Sequence, residues 1–136
     1  MDYSSSCQCG VVRVNLTLPN TIEDYEPREC DCEFCRLHNI TYISDPDGCL
    51  SIEAAGTLKQ SKQGSEQATF WQCSSCNQMV AVTHDLVGEL KGAVNGQLFS
   101  KQYKLGKSVA VSPRLLSPSE KRDRWKSAWL QVKFSP

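Results

Sequence analysis

The chain has 136 residues, with 15 acids, 15 bases and a formal net charge of zero. That length allows one domain with a real core, residues 1–136, and leaves no room for a separate cofactor-binding domain. No apolar run approaches the ~20 residues that a helix needs to cross a bilayer, so a membrane role is not expected.

From the N-terminus, Met-Asp-Tyr-Ser-Ser-Ser has neither the basic nor the apolar region of a secretory signal, which predicts a reducing, cytoplasmic setting. Cys7-Gln-Cys9-Gly10 follows. Side chains at i and i+2 of an extended segment share a face, so Cys7 with Cys9, and later Cys30 with Cys32, can each grip one ion from a strand. Gly10 would relieve crowding where the backbone passes the metal. Val12, Val14, Leu16 and Leu18 then alternate with Arg13, Asn15 and Thr17, the pattern of a half-buried strand. The second cluster is Cys30-Asp-Cys32-Glu-Phe-Cys35.

Further strands are predicted over Asn39 to Ile43, Leu50 to Ala54, Ala68 to Gln72, Met79 to Thr83 and Gln97 to Lys104. Turn signals at Asp45-Pro-Asp-Gly48, Lys62-Gln-Gly-Ser65, Gly92 and Asn95-Gly96 separate them at the short intervals of antiparallel sheets. Cys49 stands alone and reads as a buried apolar thiol. Cys73-Ser-Ser-Cys76 is a knuckle turn. Ser117-Pro-Ser-Glu120 forms a capping box that opens a short C-terminal helix. Trp125, Trp129 and Val132, at i, i+4 and i+7, read as a stripe packed on a sheet. Lys121, Arg122, Arg124 and Lys126 form a basic surface that is either solvated or recognises an anionic substrate or partner.

Seven of the eight cysteines thus fall into three tight clusters, a grouping typical of bound metal. Thiolate-rich tetrahedral sites select zinc or iron–sulfur clusters, and zinc is the ion expected, about two per chain. Structural zinc fills all four positions, whereas catalytic zinc keeps one open. One short loop can supply the triplet Cys30, Cys32 and Cys35, which leaves Cys7, Cys9, Cys73 and Cys76 for a closed site. A disulfide framework is the competing explanation, and the absence of a secretory signal counts against it.

Charge is unevenly distributed. Residues 1–54 carry ten acids and three bases, and residues 55–136 carry five acids and twelve bases, so the triplet lies in the acidic half. Seven thiolates and two zinc ions would bring the total to about −3. That balance argues against nucleic acid as the partner.

The motifs C-x-C-G, C-x-C-x-x-C and C-x-x-C, in this order, resemble the glutathione-dependent formaldehyde-activating enzyme family, which includes centromere protein V. The resemblance covers most of the chain. It implies a β-tent, a zinc-ribbon-like gathering of antiparallel sheets around a structural zinc at Cys7, Cys9, Cys73 and Cys76, and a catalytic zinc at Cys30, Cys32 and Cys35. It also implies a carbon–sulfur lyase acting on a glutathione adduct, S-hydroxymethylglutathione. Two positions depart from the family pattern: Asn77 stands where glycine usually follows the last C-x-x-C, and Ser108-Val-Ala-Val-Ser112 stands where a histidine is usual.

On this reading a substrate thiol, glutathione or another, binds the open zinc as thiolate and adds to an aldehyde carbon. Glu29, Asp31, Glu33 and His38 are the nearby candidates for moving the proton. His38 is also a candidate fourth ligand that would close the site. Arg36 is a candidate partner for a substrate carboxylate. A zinc-stabilised module that binds protein or nucleic acid without catalysis is the alternative, and a redox sensor becomes the third if Cys49 is exposed.

Overall fold

The computed structural model describes residues 1–62, 67–86, 88–112 and 115–135. In chain order its strands are β1 (Asp2–Ser6), β2 (Val12–Thr17), β3 (Arg28–Cys30), β4 (Tyr42–Ile43), β5 (Cys49–Ala54), β6 (Leu58–Lys62), β7 (Thr69–Cys73), β8 (Met79–Leu86), β9 (Glu89–Asn95), β10 (Val109–Val111) and β11 (Leu130–Ser135). Helix α1 (Glu33–Leu37) joins β3 to β4, and α2 (Pro118–Ala128) precedes β11. The protein is mainly β, with a short helix near its C-terminus.

The alternation in β2 works as expected: Val12, Val14 and Leu16 are buried, while Arg13, Asn15 and Thr17 face out. Leu50 and Ile52 of β5 meet Leu16 and Val14 across an antiparallel pairing. Each such fully buried aliphatic side chain stabilises the fold by roughly 1.5–3 kcal/mol. The main core continues through Val80, Val94, Phe99 and Leu130, and it includes Cys7 and Cys73.

β9 joins the molecule together. It pairs with β8 along one edge, and along the other with β11 through Gly92 and Lys91 and with β4 through Val94 and Asn95. The strand path β1-β2-β5-β11-β9-β4-β3-β10 carries β8, β7 and β6 as a branch from β9. The sheet is mixed rather than wholly antiparallel, because β11 runs parallel to β5 and β10 runs parallel to β3.

Several sequence expectations are corrected. Gly92 is no turn but the middle of β9, where a Cβ would collide with the Val82 carbonyl oxygen. Gln97 to Lys104 is not a strand: the Asn95 side chain accepts from the Gln97 N–H and starts a short 3-10 turn that buries Leu98 and Phe99. The tryptophan stripe is not one helical face, since α2 ends at Ala128, Trp129 has an extended backbone and Val132 belongs to β11. The Asp45 to Gly48 turn forms, closed by the Gly48 N–H on the Asp45 carbonyl at 2.9 Å. The turn expected at Lys62-Gln-Gly-Ser65 lies, from residue 63 on, outside the described residues. Among the described residues no helix is long and apolar enough to cross a membrane.

Candidate metal centres

The four-cysteine cluster assembles from two turns. Cys7 follows β1, and the chain reverses through Gly10, whose N–H reaches the Cys7 carbonyl at 3.0 Å. Cys7 and Cys9 therefore sit on a hairpin turn, not on a strand as the i, i+2 spacing suggested. Gly10 has φ +80° and nothing within 4 Å of where a Cβ would stand, so left-handed backbone and not crowding calls for glycine. The second turn starts at Cys73, the last residue of β7, and closes through the Asn77 N–H on the Cys73 carbonyl at 2.9 Å. Asn77 takes φ +64°, so asparagine supplies here the conformation for which glycine is usual.

Cys7 and Cys73 are buried, Cys76 half-buried and Cys9 exposed. The four sulfurs lie within 4.8 Å of one another, and Cys9 Sγ is 3.6 Å from both Cys7 Sγ and Cys73 Sγ. A tetrahedral zinc tetrathiolate, with Zn–S about 2.3 Å, places its sulfurs about 3.8 Å apart. The donor set and its spacing therefore fit such an ion. The Val12 N–H points at Cys7 Sγ at 3.4 Å. Burial pushes the Cys76 thiol up, but the backbone N–H groups of Gln78 and Cys9 and the neighbouring sulfurs outweigh it and bring Cys76 down to about 6.

The second cluster gathers Cys30 from the end of β3, Cys32 as the N-cap of α1 and Cys35 from inside α1. Their sulfurs also lie within 4.8 Å of one another. Cys32 Sγ accepts the Cys35 N–H at 3.4 Å, so the ligand loop is itself a helix start that sequence reading missed. Cys30 is held down to about 6, chiefly by its bond from Cys35, and that same bond together with burial drives Cys35 up. One sulfur is thus poised as thiolate among protonated neighbours. Among the described residues no histidine nitrogen and no carboxylate oxygen joins the three. His38 instead stacks its exposed ring on Phe34, with centroids 4.5 Å apart.

The three sulfurs border a cleft of about 290 Å³. Phe34, Tyr42, Phe70, Trp125 and Trp129 supply most of its apolar wall, and Arg28, Lys121 and Arg124 its cations. Tyr42 Oη lies 2.9 Å from Cys35 Sγ. Burial raises the Tyr42 phenol well above its ordinary value, so it keeps its proton at neutral pH.

The acids expected near this site are placed differently. Asp31 accepts the Ser112 hydroxyl at 2.6 Å and Glu29 the Ser108 hydroxyl at 3.0 Å, both across the β3–β10 pairing. The Ser108 to Ser112 segment does lie beside the triplet, where it anchors acids. Asp31, Glu33 and Arg36 border a second depression that shares only Cys32 with the cleft. None of these residues lines the cleft. Tyr42 and Arg28, which do, went unnoticed in the sequence; they are cross-strand partners in β3 and β4, a pairing that local spacing does not reveal. Cys49 is exposed rather than buried, at the start of β5 with its side chain on the outer face.

No protein-family model matches the chain, and no curated protein matches it significantly. A solved structure of a Rhodobacter sphaeroides protein from a structural-genomics programme superposes with a TM-score of 0.55 at 22% identity, over 78% of this chain and 100% of that one. A likeness at that identity establishes a shared fold and no more; the two cysteine clusters able to bind metal are observed in this chain.

Proposed function

We propose that the chain is a two-zinc protein in which Cys7, Cys9, Cys73 and Cys76 hold a structural ion, and Cys30, Cys32 and Cys35 an open one that takes a thiol substrate. The reaction is of the carbon–sulfur lyase type, on an adduct such as an S-hydroxymethyl thiol. The observation that carries this reading is the three-sulfur cluster, without a fourth described ligand, bordering a cleft. The resemblance of the cysteine motifs to glutathione-dependent formaldehyde-activating enzymes supports it independently.

Zinc bound at the triplet supplies a Lewis-acid position for a substrate sulfur. Cleavage of R–S–CH2–OH breaks the carbon–sulfur bond, leaves the electron pair on sulfur and releases the hydroxyl proton as the carbonyl forms. The reverse adds the thiolate to the aldehyde carbon and returns that proton to oxygen. Tyr42 is the hydroxyl on the cleft wall beside the sulfurs, and we assign it the hydrogen bond to the reacting oxygen. Phe34, Phe70 and Trp125 exclude water around it.

The test is metal loading followed by thiol addition. Protein purified without chelator should carry about two zinc per chain, fewer where the three-ligand site has been stripped. After cobalt substitution, 2-mercaptoethanol or glutathione should shift the thiolate-to-metal charge-transfer band, and Cys32→Ser should abolish that shift. A metal-free folded protein, or a spectrum indifferent to every thiol, overturns the reading. A shift without turnover of any adduct selects the non-catalytic thiol-binding module instead.

A further inference from the structure

The cleft has a composition that a sulfur site alone does not require. Phe34 and Phe70 meet edge-on with centroids 4.9 Å apart, and Trp125 and Trp129 stack at 4.6 Å with their planes 13° apart. These pairs present flat apolar surface to the cavity. Among the described residues three cations, Arg28, Lys121 and Arg124, share the lining with them, and no carboxylate does. Among the described residues the one ion pair joins Lys104 to Glu23 and includes none of the three.

Arg28 is half-buried, and its guanidinium donates to Ser44 Oγ. Arg28 and Arg124 line the same cleft, and among the described residues neither is in an ion pair, an arrangement that an anion would relieve. A divalent ion with three thiolates carries one net negative charge, so three cations leave a surplus of two. Guanidinium groups match a planar carboxylate with paired hydrogen bonds, and aromatic faces match a planar ring. Glutathione fits this lining poorly, because its peptide groups would face aromatic walls that offer few partners.

We propose that the cleft binds a small aryl carboxylate, with its ring among Phe70, Trp125 and Trp129 and its carboxylate at Arg28 and Arg124, and that the natural thiol or thiol adduct is carried on such an acid. The placement of the sulfur rests on the open-zinc reading above; the anion site stands on the cleft alone. About 290 Å³ is at the small end of ligand pockets, in keeping with a single ring and its substituents. Substrate choice is then set by α2, which supplies Lys121, Arg124 and Trp125 from outside the metal-binding motifs.

The test titrates the zinc-loaded full chain with 3-mercaptobenzoate, its neutral isostere 3-mercaptobenzamide, benzoate and glutathione, read by tryptophan fluorescence. Mercaptobenzoate should bind at least ~tenfold more tightly than the amide or glutathione, the size of one charge-assisted hydrogen-bond pair. Arg124 is exposed on α2, so Arg124→Gln should keep the fold, bring mercaptobenzoate to the affinity of the amide and leave the amide unchanged. Trp125→Phe should weaken the fluorescence response and leave Trp129 to report the remainder, because Trp71 packs on Phe134 outside the cleft. Equal binding of acid and amide, tighter binding of glutathione, or an Arg124→Gln variant that keeps the preference for the acid overturns the proposal. Benzoate, which has no sulfur, separates the two readings. Arg124-dependent benzoate binding in a protein whose cobalt spectrum ignores all thiols upholds the anion site and removes the sulfur chemistry.

Discussion

Tyr42 is the residue on which the chemistry and the architecture most directly meet. It pairs with Arg28 across β3 and β4 and with Asn95 across β9, and its ring packs on both the Cys35 cluster and the Trp129 cluster. Tyr42→Phe removes one oxygen and keeps the ring, so the cleft should retain its shape. We expect turnover of an S-hydroxymethyl thiol to fall by ~100-fold, the lower range for losing one hydrogen-bond donor to the reacting oxygen, with zinc content and the thiol-induced cobalt shift unchanged. Unchanged turnover would reduce Tyr42 to a wall residue. The cysteines were legible in the sequence because a metal knuckle is local: two or three ligands within six residues need no knowledge of the fold. Tyr42 and Arg28 were not, because their approach to the sulfurs depends on two strands meeting across a helix and a loop. Cys49 shows the opposite failure. Its hydrophobic class suggested burial, but in β5 it alternates with Leu50, which takes the core side.

At the scale of elements, strands with clean alternation or dense β-branched runs, β2, β5, β7 and β8, were readable where they lie. β9 was hidden by Gly92, which looks like a turn residue but serves close strand approach, and by Asn95, which does start the turn that ends the strand and also bonds the Met79 carbonyl at 2.8 Å. β11 was hidden because Val132 falls at helical spacing from Trp125 and Trp129. Helix α2 was readable to its first residue, since Ser117 and Glu120 form the capping box reciprocally, at 3.2 Å and 2.8 Å. That box bears on function, because α2 has no buried residue of its own and forms one wall of the cleft. The backbone N–H of Ser117 holds the Glu120 carboxyl below its ordinary value of 4.5. A depressed carboxyl stabilises above its unfolded pKa, and the contribution is lost as pH falls through the folded value. Helical signal and ligand-induced fluorescence change should therefore decline below about pH 4.5 in the wild type. Glu120→Gln should flatten that step, while Ser117→Ala should weaken the helix at every pH, by about 1 kcal/mol. Identical pH profiles for wild type and Glu120→Gln would mean that the box does not govern the wall.

Over the whole molecule, the two clusters differ in how much of the fold depends on them. Cys7 and Cys73 belong to the main core, in contact with the β2, β5, β8 and β11 side chains, and their turns tie the N-terminal hairpin to the β7–β8 branch. The triplet occupies a small satellite cluster with Ile40 and Met79, where the end of β3 runs into the short helix α1. Structural zinc in small domains supplies about 10–16 kcal/mol at neutral pH, comparable to the whole net stability of a domain, about 5–15 kcal/mol. Serine at Cys7, Cys9, Cys73 or Cys76 should accordingly unfold the protein or prevent its accumulation. Serine at Cys30, Cys32 or Cys35 should remove one zinc, abolish thiol binding and leave the thermal transition nearly where it was. Chelator added in steps should strip the triplet first, since three protein ligands hold less tightly than four, and the thermal transition should collapse only with loss of the second ion. Both losses should come more easily as pH falls, because every ligand must be deprotonated to bind. Equal unfolding across all seven cysteines would make the triplet structural, and the open cleft beside it would then have no reactive metal to serve.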